Sequence, residues 1–184
     1  KGGYASSLSG TMDKVDDLYP PQQYATFLTN HDHERTMTQL GEDEAQAKVA
    51  AAIYLTLPGV PFIYYGEEIG MENVLIPAAY VQDPPAVNQP EIAHLIGRDP
   101  VRTPMQWDQS PSAGFSTAGP EALYLPLDPD PGRPTVADQQ ADPGSLYHFL
   151  RSLIRLRREN PALGSAGRYR CLNPEGVDYP LVIE

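Results

Sequence analysis

Cysteine is almost missing from this chain. Cys171 is the only one, so no intrachain disulfide forms and no cysteine-rich metal site exists. Nothing around Cys171 supplies the base that a catalytic thiol needs, and it reads as a buried or incidental thiol. Positive charge is scarce too. The 13 Lys and Arg against 24 Asp and Glu leave a formal net charge of −11, which excludes the phosphate-neutralising surface of a nucleic-acid-binding protein. No run approaches the roughly 18 apolar residues of a membrane span, so no membrane contact is expected. No secretory leader is visible, and the residues leave the compartment open. His33, His94 and His148 stand at no spacing that suggests a metal site.

Proline is abundant instead, and it punctuates the chain. Leu8, Met12 and Val15 have loose helical spacing until Tyr19-Pro20-Pro21 breaks it. Tyr24 to Leu28 is a compact, largely apolar run suited to a buried parallel strand. Ala45, Val49, Ile53 and Leu57 then recur every four residues, on one helix face. Glu42, Asp43 and Glu44 occupy the first turn, where negative charge suits the helix dipole. Pro58-Gly59 ends that helix, and Val60 to Tyr65 forms a second strand closed by Gly66. Strand, helix, strand within residues 24–65 is a βαβ unit. Residues 72–143 are long, proline-rich and irregular, and a loop of that length inside a compact domain is usually functional. Asp142-Pro143 is placed as N-cap and first helical residue of a strongly apolar-striped helix running through Leu146, Phe149, Leu150 and Leu153. Residues 168–184 read as short strands.

Asn30-His31-Asp32 falls immediately after the first strand, where barrel strands deliver catalytic groups at their C-terminal ends. An amide, an imidazole and a carboxylate can together clamp vicinal sugar hydroxyls. On its own the triplet reads equally as a turn, because Asn and Asp favour turns. Three further stretches bear on the choice: Pro58 to Met71 with its Tyr64-Tyr65-Gly66-Glu67-Glu68 core, Gly97-Arg98-Asp99-Pro100-Val101-Arg102-Thr103-Pro104-Met105-Gln106-Trp107-Asp108 followed by Ala113 to Ser116, and Ser145 to Leu163. In this order the four stretches resemble the α-amylase superfamily of glycoside hydrolases (family 13), over residues 24–169. The third is similar to a loop of α-glucosidases, oligo-1,6-glucosidases and trehalose synthases.

The resemblance implies a partial (β/α)8 TIM barrel, about its last two β/α units, over residues 1–163, with the start of a C-terminal β-sandwich at 164–184. A whole barrel needs about 250 residues, so the chain is expected to be a piece of a larger enzyme, cut at both ends. The implied mechanism is retaining, with an Asp nucleophile and a Glu acid/base in motifs that precede the Asn-His-Asp block; neither motif occurs here. Asp32 is the third acid. A carboxylate in that role accepts hydrogen bonds from the sugar 2- and 3-hydroxyls that strengthen as charge develops at the anomeric carbon. His31 is expected to donate to the same hydroxyls, with a loop-bracing histidine as the alternative, and Asn30 to bind sugar or brace the loop. Arg35 is placed to orient the Asp32 carboxylate, to touch the next sugar, or to form a surface salt bridge.

Arg102 is expected to reach the non-reducing-end sugar, against an ion pair with Asp99 or Asp108. Trp107 and Phe115 either stack on sugar or pack the loop, and Tyr64 and Tyr65 read as barrel packing. Glu67 and Glu68 are rejected as a catalytic pair, since neighbours on a strand-like segment point in opposite directions. No cofactor is expected within these residues, and no calcium site is visible in them. The expected partners are α-linked gluco-oligosaccharides, and an isolated chain is expected to self-associate through exposed barrel surfaces. The leading functional expectation is an α-glucosidase. An α-amylase or trehalose synthase is the alternative within the family, and an amylase-like scaffold, as in the heavy chains of amino-acid transporters, the alternative of another class.

Overall fold

A computed structural model describes residues 5–20, 23–173 and 180–184. They form two compact units, the first drawn from residues 1–26, 53–62 and 153–184 and the second from 27–52 and 63–152.

In the first unit, helix α1 (Ala5–Leu18) precedes strand β1 (Ala25–Thr26), which pairs in parallel with β2 (Val60–Pro61). Val60 N donates to Tyr24 O at 3.0 Å and Phe62 N to Thr26 O at 2.8 Å. The strands expected at 24–28 and 60–65 are therefore shorter than their apolar runs. A ladder extends only as far as a neighbour supplies partners, and this sheet has two strands. Gly59 makes the entry to β2: its φ of +91° suits glycine, and a Cβ there would collide with the Tyr24 ring. Arg157 closes the same corner. Its Nη1 donates to Leu55 O and Leu57 O at 2.9 and 2.7 Å, and its Nη2 to Gly59 O at 2.7 Å, satisfying carbonyls that the preceding helix leaves open. Near the chain end Cys171 bridges Ile183 in antiparallel fashion; the strands expected over 174–179 lie outside the described residues.

The second unit contains α2 (Thr36–Gln39) and the start of α3 (Glu44–Thr56). Glu44 is in the first turn of α3, and Asp43 Oδ1 accepts the backbone N–H groups of Ala45 and Gln46 at 2.9 and 3.2 Å. The residues expected on one face of α3 differ in burial, Ala45 and Val49 being exposed and Leu57 buried. Val49 is 60% exposed, whereas Ala47 and Ala51 are buried with Met37, Leu146 and Leu150 around a small cavity. The buried residues of α3 are Ala47 and Ala51 together with Tyr54 and Leu55.

Residues 72–143 are not featureless. They hold three short helices, α4 (Pro84–Asn88), α5 (Ala93–Ile96) and α6 (Val136–Ala141), linked by 3-10 turns. Thr135 caps α6, its Oγ1 accepting Asp138 N at 3.1 Å. The run Met105-Gln106-Trp107 is pinned alongside: Val136 N donates to Gln106 O at 2.9 Å and Ala137 N to Trp107 O at 3.0 Å. Met105 joins Ile69 and Met71 in a core cluster packed by Val136 and Tyr147.

Helix α7 (Leu146–Glu159) follows. Its cap is Ser145 rather than Asp142, with Ser145 Oγ accepting His148 N at 3.4 Å. Asp142 instead braces the preceding turn, accepting Gly144 N at 2.8 Å. Proline at 143 serves that turn and not the first turn of the helix.

Candidate active site

The second unit gathers the sequence-expected residues around one carboxylate. Thr29, buried after the strand, donates from Oγ1 to Glu34 O at 2.6 Å and so closes the loop on itself. Inside the loop Asn30 Oδ1 accepts Asp32 N at 2.8 Å and lies 2.8 Å from His33 Nδ1. Asn30 thus braces the turn, the role that Asx side chains take in such loops. Its two-residue reach aims Asp32 outward, with the carboxylate 43% exposed.

Two arginines meet that carboxylate on a single oxygen. Asp32 Oδ1 accepts Arg98 Nη1 at 3.0 Å and Arg102 Nη2 at 2.9 Å. Oδ2 faces the other way, 3.4 Å from the exposed His31 Nε2. One oxygen is held by both arginines and the other lies beside an imidazole, with acceptor capacity to spare. The hydrogen bond from Arg98, together with the charges of His31 and Arg98, holds the carboxyl below its ordinary range, so Asp32 is an acceptor only. The expected alternatives for Arg102 are both set aside: it reaches neither Asp99 nor Asp108 but Asp32, and its Nε donates to His31 O at 2.9 Å.

The arginines are themselves held from behind. The Asp83 side chain is fully buried and accepts Arg98 through Nη2 at 2.7 Å and through the backbone N–H at 2.9 Å. Asp99, also buried, accepts the backbone N–H groups of Gln82 and Asp83 at 2.6 and 2.9 Å. Arg98 and Arg102 flank the single 3-10 turn Asp99–Val101, which brings their guanidinium groups to one place. Arg98 and Asp83 were not singled out from sequence. The spacing of four between two arginines across a proline turn was the available signal for Arg98; Asp83 offered none.

Arg35 takes none of its expected roles. It is 1% exposed, donates from Nη1 to Tyr65 O at 2.8 Å, and lies over the Tyr64 and Tyr65 rings. Length and planarity let it fill an interior slot against aromatic faces, where a salt bridge at the surface was one expectation. Glu67 Oε2 accepts Tyr64 N at 3.3 Å, and burial pushes the neighbouring Glu68 carboxyl up. A cavity of about 530 Å3 adjoins Arg102 and is lined by Tyr65, Glu68, Trp107, Phe115 and Tyr124. Trp107 and Phe115 are about half exposed along its wall, so neither is core packing. Among the described residues, no group of three His, Cys, Asp or Glu side chains is arranged to hold a metal ion.

A family description, the alpha amylase catalytic domain, matches residues 5–166. The chain belongs to that family. This α-amylase-family chain is 35% identical over 178 residues to an oligo-1,6-glucosidase of Parageobacillus thermoglucosidasius, covering 84% of the chain and 31% of the relative. It is 39% identical over 183 residues to the trehalose synthase/amylase TreS of Mycobacterium tuberculosis, covering 92% of the chain and 27% of the relative. Among solved structures it is similar to the trehalulose synthase MutB of Pseudomonas mesoacidophila MX-45, with a TM-score of 0.76 and 34% identity over 95% of the chain and 35% of that protein. An isomaltulose synthase variant of Erwinia rhapontici NX5 in complex with D-glucose gives a TM-score of 0.73 at 32% identity, over 96% of the chain and 35% of that protein. The structural neighbours are TIM-barrel glycoside hydrolases of family 13, and the chain is a partial α/β fold of that kind. It spans about a third of the length of the curated relatives it matches.

Proposed function

We propose that these residues form one wall of the sugar pocket of a retaining glycoside hydrolase that cleaves α-glucosidic bonds in short oligosaccharides. The observation that carries the reading is the asymmetric setting of Asp32, with Oδ1 fixed by two arginines and Oδ2 open beside His31. Such a carboxylate is preorganised to accept the 2- and 3-hydroxyls of a glucosyl unit. Its hydrogen bonds strengthen as the ring flattens and positive charge spreads over the anomeric carbon, which stabilises the transition state more than the ground state. His31 donates to the same hydroxyls. Asn30 shapes the loop that presents both.

The nucleophile and the acid/base lie outside these residues, so the isolated chain is inactive and the complete enzyme performs the reaction. Arg102 orients Asp32 and borders the terminal sugar. The loop from Arg98 to Trp107 closes the far side of the pocket, leaving room for a single glucosyl unit beyond the scissile bond. Residues 1–163 belong to the barrel and residues 164–184 begin the β-domain, a reading supported by the Cys171–Ile183 bridge.

The relatives named for trehalose and trehalulose synthesis favour a second reading, isomerisation of a disaccharide at the same pocket. Product analysis of the complete enzyme separates the two. Glucose released one unit at a time from the non-reducing end of maltose or isomaltose supports the hydrolase; a disaccharide isomer in its place supports the synthase. Random internal cleavage of starch with poor action on maltose contradicts both.

A further inference from the structure

Tyr64 and Tyr65 are neighbours in sequence, yet both hydroxyls reach the same loop. Extended backbone would send them to opposite faces. Here the ladder ends at Pro61 and the chain turns at Gly66, whose φ is +84° and whose carbonyl accepts Met71 N at 2.8 Å. The turn leaves the two ring centroids 4.7 Å apart. Tyr64 Oη donates to Val101 O at 3.1 Å and Tyr65 Oη to Thr103 O at 2.7 Å. Those carbonyls stand immediately before and after Arg102. The buried Arg35 guanidinium lies 5.3 and 4.9 Å from the two centroids and fixes the rings.

We propose that Tyr64 and Tyr65 are positioning residues that bracket the backbone of Arg102 and thereby set its guanidinium on Asp32. This rests on the assignment of Asp32 and Arg102 to the glucoside pocket. An arginine has many rotamers, and holding one of them against a half-exposed carboxylate costs side-chain entropy. Pinning the residues on either side of Arg102 reduces the backbone motion that adds to that cost. It also fixes where Nε meets His31 O and Nη2 meets Asp32 Oδ1. Substitution by phenylalanine removes only the hydroxyl and keeps the ring on Arg35, so the fold is preserved while the bracket is lost.

The experiment uses Tyr64→Phe, Tyr65→Phe and the double variant in the complete enzyme, each with and without Arg102→Ala, assayed on p-nitrophenyl α-glucoside. Each hydroxyl removed lowers kcat/KM by roughly three- to tenfold, about what one modest hydrogen bond supplies. In the Arg102→Ala background the same substitutions change it by less than about twofold, because residues acting through a missing partner lose their effect. Full-sized losses in that background would overturn the proposal, since the tyrosines would then act on the fold at large. So would undiminished activity of the tyrosine variants alongside an impaired Arg102→Ala. If Arg102→Ala is itself as active as the unmodified enzyme, the pocket assignment fails, and the crystal structure of Tyr64→Phe/Tyr65→Phe decides the bracket. Arg102 Nη2 displaced from hydrogen-bond distance of Asp32 Oδ1 supports it; an unmoved Arg102 overturns it.

Discussion

Arg102 Nη2 donates to Asp32 Oδ1 at 2.9 Å although 70 residues separate them in sequence. The loop carrying the arginine and the loop carrying the aspartate therefore meet at one carboxylate. Arg102 is bound to the carboxylate and does not simply wait for sugar. Its removal is expected to disturb the transition state as well as the ground state. Arg102→Ala in the complete enzyme should lower kcat/KM by roughly 10- to 100-fold, with a fall in kcat accompanying the rise in KM for maltose. Steady-state kinetics on maltose check it. A pure KM effect would show that the arginine binds sugar without orienting Asp32.

Arg98 gives a prediction about protonation. Its hydrogen bond is the first cause holding the Asp32 carboxyl below the usual carboxylate value. Arg98→Ala should raise that value toward the ordinary one, so less of Asp32 is ionised near pH 4. Asp32's contribution to stability is present above its unfolded value and lost as pH falls through the lowered folded value. Carbon-13 NMR titration of the Asp32 carboxyl in the two proteins measures the shift, and an unchanged titration would contradict the contact.

Glu68 behaves in the opposite sense. Burial raises its carboxyl, and backbone hydrogen bonds from Glu68 and Gly66 with the nearby Arg35 charge offset this only in part. A raised value means the folded state holds its proton, so the benefit is present below the unfolded value and lost as pH rises through the folded one. Glu68→Gln should therefore increase Tm at pH 7 and change it little at pH 4. Thermal melting at the two pH values tests this, and a lower Tm at pH 7 would show that the ionised carboxylate is needed.

The βαβ unit was legible because strand and helix periods are local properties, and Asn30, His31, Asp32 and Arg102 stand out because their flanking motifs are distinctive; the structure brings Arg102 onto Asp32. What escaped depends on distance in sequence. Asp83 supports Arg98 from 15 residues away, and nothing in the Asp83-Pro84-Pro85 run marks it as a buried carboxylate. Arg35 stands three residues after Asp32 and so reads as its partner, a sugar contact or a surface ion pair; only the turn at Gly66 supplies the aromatic slot that takes it in. Along α3 a spacing of four picks out Val49, which is 60% exposed, while Ala47 and Ala51 beside it are buried.

Asp32 is proposed to stabilise the transition state through a carboxylate with one oxygen anchored and one open. Asp32→Asn in the complete enzyme measures it most directly. Asparagine is nearly isosteric, so the melting temperature should stay close to that of the unmodified protein. The expected result is a fall in kcat of roughly two to four orders of magnitude with a much smaller change in KM, as for an interaction made mainly in the transition state. A fall of less than about tenfold in kcat would contradict the claim and leave Asp32 a loop residue tied to two arginines.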